Sequence, residues 1–289
     1  MRRAYWVNAL LAVLAVALGA WVYFTPSRDA PVTHSLSTLP RSEAASIRIE
    51  RAGAQAMVLE KSGGAWRVSS PLQARGNEAR VEQLLGVLEA QAAHKLPAVD
   101  LARFELDQPR ARLTIAAPAA SQSFAFGLVS DLTREQYVMT SGAVYPLSPR
   151  YGAALPAGPA DLISNRLFAP GEAPVRIALK AFAVEQHDGK WRQIPSAPDL
   201  GQGDFNRWIE AWRSAAAVRV EPHAGGGAAE EIRVELKDRD ALVLGVLARE
   251  PDLVLLRPDE KLRYHIRGDV AMRLLVPPGA AARTPPAKK

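Results

Sequence analysis

The sequence predicts an α+β fold: an N-terminal transmembrane helix, then two tandem repeats, each an antiparallel sheet with one amphipathic helix. Three observations carry this expectation. Residues 4–24 form one uncharged apolar run, strand-like alternation recurs in two blocks with one helical stripe each, and a tryptophan-bearing turn recurs 125 positions apart.

The apolar run reads AYWVNALLAVLAVALGAWVYF, with Asn8 its one strongly polar residue. About 20 apolar residues in a helix span a hydrocarbon core of roughly 30 Å. Tyr5 and Trp6 at one end and Trp21 and Tyr23 at the other suit the two interfacial belts. Arg2 and Arg3 precede the run, so the positive-inside rule puts the N-terminus in the cytoplasm and all that follows beyond the membrane. A cleaved signal peptide is the rival reading. Its apolar region would be shorter, about 7–15 residues, and Leu18-Gly19-Ala20 is a poor small-x-small cleavage site. The expectation is therefore an uncleaved signal anchor in a bacterial inner membrane, touching the lipid bilayer through residues 4–24, with a periplasmic module.

In the first repeat Ile47 to Arg51 alternates, Ala56 to Lys61 follows, and Gly63-Gly64 turns into a strand carrying Trp66, closed by Pro71. In the second, Val175 to Leu179, Phe182 to Gln186, Asp188-Gly189 and Trp191 repeat the order, closed by Pro195. A helix follows each tryptophan. Asn77 is the expected cap of one, with Val81, Leu84, Leu85 and Leu88 at i, i+3, i+4, i+7. Asp204 is the expected cap of the other, with Phe205, Trp208, Ile209 and Trp212 at the same spacing. The two stripes are 124 positions apart, within one residue of the tryptophan offset. Further strands are expected around 112–115, 123–126, 136–140 and 143–147, and around 232–236, 241–247, 253–256 and 262–266, each set ending in a short helical segment. The division is a cytoplasmic start and anchor at 1–24, a tether at 25–32, repeats at 33–168 and 169–275, and a proline-alanine-rich disordered tail at 276–289.

Composition excludes several classes of function. The 36 basic residues exceed the 30 acidic ones, but Arg2, Arg3, Arg283, Lys288 and Lys289 lie in the two ends. Setting these five aside leaves 31 against 30, so no basic face for nucleic acid is expected. With no cysteine there is no disulfide, thiol catalysis or lipidated cysteine. His34, His94, His187, His223 and His265 form no metal-binding pair, and no nucleophile elbow or phosphate loop occurs, so no catalytic, cofactor or metal residue is assigned. Gly201-Gln202-Gly203 lacks the third glycine of a dinucleotide fingerprint and reads as the lead into a helix. Glu230-Glu231 and Asp238/Asp240 read as solvated turn charges rather than a general acid/base pair. Trp66 and Trp191 read as core. Trp208 and Trp212 also suit a core, and they are the candidate pair if any aromatics form a partner-binding surface.

The order Ile47-x-Ile49-x-Arg51, Gly64-x-Trp66-Arg67, Pro71, Val81-x-x-Leu84-Leu85, Leu106-Asp107-x-Pro109, Phe126-Gly127, Tyr137-Val138 and Val144-Tyr145 resembles the domain of unknown function 4340 family. The resemblance covers about residues 33–275, with the second half a weaker copy. It implies a bacterial envelope protein without established enzymatic activity, and members that look like auxiliary subunits of ABC-type transport systems. This chain is shorter than those members and has one membrane segment. The expected function is thus binding or scaffolding in the envelope, not catalysis, with another envelope protein, such as an ABC-type transporter, as partner. The alternative is an envelope enzyme acting on cell-wall glycan or lipid with no recognisable motif.

Overall fold

The computed structural model describes residues 2–24, 33–197 and 200–279. The expected tether at 25–32, and the tail from residue 280 onward, lie outside them. Helix α1 (Arg2–Phe24) is continuous over 23 residues. Among the described residues no helix is long and apolar enough to cross a membrane. In α1 the described side chains are Trp6 and residues 11–21, and that stretch is too short to span a bilayer by itself.

The rest is α+β, with antiparallel sheets and few helices. The first part contains β1 (His34–Ser35), β2 (Ser46–Arg51), β3 (Met57–Ser62), β4 (Ala65–Ser70), β5 (Ala74–Arg75), α2 (Glu78–Leu85), β6 (Gln91–Ala92) and β7 (Leu96–Pro97). It continues through β8 (Ala111–Ala116), β9 (Ser121–Val129), β10 (Gln136–Thr140), β11 (Ala143–Leu147) and α3 (Arg150–Ala153). The second contains β12 (Pro174–Ala178), β13 (Ala183–His187), β14 (Lys190–Ile194), α4 (Gln202–Arg213), β15 (Arg219–Pro222), β16 (Glu230–Leu236), β17 (Leu242–Ala248), β18 (Leu253–Arg257), β19 (Leu262–Ile266) and α5 (Gly268–Leu275).

One sheet has the order β5-β4-β3-β2-β8-β9-β10-β11-β7, the other β14-β13-β12-β16-β17-β18-β19-β15, and β1 pairs with β6 apart from both. With β5 set aside, the first order maps onto the second strand for strand. The correspondence extends to irregularities: a register shift interrupts β9–β10 at Gln136/Val138 and β17–β18 at Val246/Ala248. Gly127 and Gly245 sit beside these shifts under crossing segments, where a Cβ would come 2.1 Å from the Phe104 carbonyl oxygen and 2.7 Å from the Ala228 Cβ. Both tryptophan hairpins turn on two residues of positive φ, Gly63-Gly64 (58° and 85°) and Asp188-Gly189 (49° and 75°), the conformation that matches strand twist.

Each sheet buries one face under its helix. Val81, Leu84 and Leu85 face inward from α2, which tightens into a 3₁₀ turn at Gly86–Glu89 that carries Leu88 to the same core. Phe205, Trp208, Ile209 and Trp212 do the same from α4. Asn77 caps α2, its side chain accepting from the Arg80 amide at 3.3 Å. Asp204 is not the cap of α4. The helix begins three residues earlier, Gly201 is the cap, and Asp204 reaches back to accept from the Gly201 amide at 3.0 Å. An acidic residue in the first turn and a cap share the same chemistry, so sequence spacing alone misplaced the boundary.

Trp66 and Trp191 are 4 % and 8 % exposed and fill the space between strand and helix. The first helical residue ties each one down. The Trp66 amide donates to Glu78 Oε1 at 3.1 Å and the Trp191 amide to Gln202 Oε1 at 3.0 Å. The Trp66 carbonyl accepts from the Gly76 amide at 2.8 Å, whereas the Trp191 carbonyl accepts from Gln202 Nε2 at 2.8 Å. One amide side chain thus replaces a backbone contact. Trp66→Ala and Trp191→Ala should each lower stability by about 3–5 kcal/mol in denaturant titrations, as large core truncations do. A loss below about 1 kcal/mol at either position would contradict this packing.

Candidate interaction site

The pair singled out from the sequence lies in the core. Trp208 is 4 % and Trp212 0 % exposed, with ring centroids 5.9 Å apart, and Phe182 packs tilted against Trp208 at 5.8 Å. Neither ring offers a surface platform, because the α4 stripe is the face that seals the second sheet. Trp208 does border a groove of about 510 Å³ on the outer side of α4, walled by Arg207, Ala211, Arg273 and Pro277. Val276–Gly279, expected within a disordered tail, packs along that groove.

The charged residues that sequence reading missed meet between the repeats. Residues 162–168 form a bridge segment with the first repeat on one edge and the second on the other. Asn77 N–H donates to the Leu162 carbonyl and Ser164 N–H to the Arg75 carbonyl, both at 2.8 Å. On the other edge, Leu167 N–H donates to the Ala215 carbonyl at 3.0 Å and Ala217 N–H to the Asn165 carbonyl at 2.8 Å.

Two guanidinium groups reach two further carbonyls of the segment. Arg75 of β5 donates to the Arg166 carbonyl at 2.6 Å and to the Tyr264 hydroxyl at 3.0 Å, and pairs with Glu260. Arg257 of β18 donates to the Leu167 carbonyl at 2.7 Å, to Glu172 at 3.0 and 3.1 Å, and to Asp259 at 2.7 Å. The Tyr264 hydroxyl donates to Glu260. Arg257 is 2 % and Tyr264 0 % exposed.

Burial pushes the carboxyl pKa of Glu172 up, but the hydrogen bonds from Arg257 and the Ala169 amide and the charges of both arginines outweigh it, leaving the group below its usual range. Asp259 follows the same pattern through Arg257. Burial would lower the Arg257 pKa, yet its carboxylate partners hold it above the ordinary value. Burial, opposed by Arg75 and aided by Glu260, raises that of the Tyr264 hydroxyl. This arrangement holds charge in place. It keeps Tyr264 protonated and both arginines paired with carboxylates, although the buried Arg75 Nη1 has no acceptor, and this suits a clasp.

The other singled-out residues lie elsewhere. Glu230 pairs with Arg249 at 2.6 Å on the sheet surface, Glu231 is exposed, and Asp238, at φ 58°, turns the β16–β17 hairpin. His265 approaches Glu221 at 3.3 Å and His187 approaches Asp188 at 3.4 Å. Among the described residues no group of three or more His, Asp or Glu is placed to hold a metal.

Glu260→Ala would leave Arg75 buried without its carboxylate and should cost on the order of 3 kcal/mol by denaturant titration. No measurable loss would count against the clasp. The pH dependence has a definite sign. Folded-state pKa values of Glu172 and Asp259 are depressed, so their contribution is present above the unfolded carboxylate range and lost as pH falls through the folded values. Acid titration of the Glu172→Gln, Asp259→Asn double variant should therefore show a flatter stability curve below about pH 4 than the parent.

A family profile described as a domain of unknown function (DUF4340) matches residues 66–224. The match begins at the tryptophan under α2, crosses the bridge segment and ends just beyond β15, so it includes Arg75 and Glu172 but not Arg257, Asp259, Glu260 or Tyr264. No curated protein matches the chain, and no solved structure does. With more than half its length matched, the chain belongs to the domain of unknown function 4340 (DUF4340) family.

Proposed function

We propose that the chain is a single-pass, membrane-anchored binding or scaffolding protein of the cell envelope, with its two-repeat unit held in the periplasm close to the inner membrane. The observation that carries this is the pairing of an uncharged run at residues 4–24 with a backbone that is helical throughout Arg2–Phe24. At about 1.5 Å per residue that helix is long enough for a bilayer. Arg2 and Arg3 set its direction, and the tether of residues 25–32 reaches at most roughly 28 Å. The hydrogen bonds and ion pairs that join the two repeats support a scaffolding role. The partner is another envelope protein, for which a component of an ABC-type transport system is the candidate. The α4 groove is the face proposed to receive it.

A reporter active only outside the cytoplasm, fused after Lys289, should be active; activity of a cytoplasm-specific reporter in its place would reverse the orientation. Mass measurement of the membrane fraction should find the N-terminus intact, whereas loss of the first 20 or so residues would identify a cleaved signal. Crosslinking in intact membranes, followed by mass identification, should join the repeats to an envelope protein. Recovery of the uncrosslinked chain alone, with a crosslinker that captures known envelope complexes, would argue against the scaffold.

A further inference from the structure

Beyond Leu275 the chain crosses the outer side of α4 as Val276-Pro277-Pro278-Gly279. Val276 is extended (φ −93°, ψ 151°), as a residue before proline must be. Its amide donates to the Met272 carbonyl at 3.3 Å, and its carbonyl accepts from the Trp208 indole Nε1–H at 2.8 Å. Pro277 and Pro278 have no N–H to contribute. Among the described residues these two hydrogen bonds are the ones that fasten the segment, together with the buried ring of Pro278. The groove of about 510 Å³ remains open beside it. The neighbouring core is tied differently: Trp212 is fully enclosed, and Ile232 and Leu244 face each other in a continuous ladder.

We propose that Val276–Gly279 is a displaceable cover, whose local release exposes the Trp208 indole to the α4 groove without unfolding either repeat. Two hydrogen bonds, one buried ring and the close approach of Gly279 to Leu200 are a weak tie beside a cooperative core, so this segment belongs to the low end of local stability. Release frees the indole N–H together with an aromatic face. The exposed site then suits an extended apolar peptide that offers a backbone carbonyl to Trp208, as Val276 does in the closed form. That ligand assignment rests on the reading of the α4 groove as the partner-binding face. The opening itself does not depend on it.

Hydrogen exchange of the full chain in detergent micelles, followed by NMR, tests the opening with no partner present. The Trp208 indole signal is identified by its loss in Trp208→Phe. Its protection should be at least about tenfold below that of the Ile232 and Leu244 amides and should not change at low denaturant. Protection equal to those amides, with the denaturant dependence of global unfolding, would overturn the proposal. In Trp208→Phe the Val276 amide should exchange up to about tenfold faster, the worth of one net hydrogen bond, while Ile232 is unchanged. An unchanged Val276 rate would remove Trp208 as the fastening. Because neither measurement uses a ligand, failure to find a partner leaves the cover standing.

Discussion

A polypeptide segment buried with neighbours on both edges must find partners for every backbone donor and acceptor. The bridge at 162–168 is such a segment at its buried ends, Leu162–Ile163 and Leu167–Phe168, and much of the junction follows from it. Backbone pairing with 75–77 on one side and 215–217 on the other satisfies the Leu162 and Asn165 carbonyls and the Ser164 and Leu167 amides. Guanidinium donors from the two repeats reach the Arg166 and Leu167 carbonyls. Those buried cations require carboxylates in turn, which Glu172, Asp259 and Glu260 supply. Each layer of charge exists because the one beneath it would otherwise be unpaired.

The first repeat shows the same problem solved without charge. Its opening segment pairs with the stretch after α2, Leu36 N–H donating to the Ala90 carbonyl at 3.2 Å, as Leu167 N–H donates to the Ala215 carbonyl. The Leu36 carbonyl accepts from the neutral amide of Gln122 at 3.3 Å, where the Leu167 carbonyl takes Arg257. Thr140 occupies the place of Arg257 two residues beyond Val138, whose partner Tyr145 corresponds to Tyr264. The clasp is therefore a property of the junction rather than of the repeat. A buried ion pair contributes little net stability over an apolar contact of the same size, but losing one partner is costly.

Features that repeat with a helical or strand period were legible in the sequence. The stripes at Val81–Leu88 and Phe205–Trp212 and the paired tryptophans led to the two-sheet architecture, because apolar spacing reports which face is buried. β1, β5, β6 and β7 are two residues long and carry no period, so only tertiary pairing defines them. The clasp was invisible for a different reason. Arg75 and Glu260 are 185 positions apart, and adjacent carboxylates drew attention to Glu230-Glu231 instead. A signal was present: aligning the repeats sets Ser141-Gly142 against the longer Pro258-Asp259-Glu260-Lys261 turn directly after Arg257. Trp208 and Trp212 were singled out for their size. The greater bulk of α4 relative to α2 lies in buried aromatic rings, not in an outward-facing pair.

The difference between those two turns has a consequence for how the protein can grow by recombination. Solenoids lengthen by copying a unit whose ends fit one another. Here the acidic four-residue turn belongs to the second unit and, among the described residues, its matching arginine strand, β5, to the first. A third unit copied from either would meet an end lacking its counterpart: Ser141-Gly142 offers no carboxylate to an incoming arginine. The duplication has become a heterodimer within one chain, and its two members have lost the freedom to exchange places.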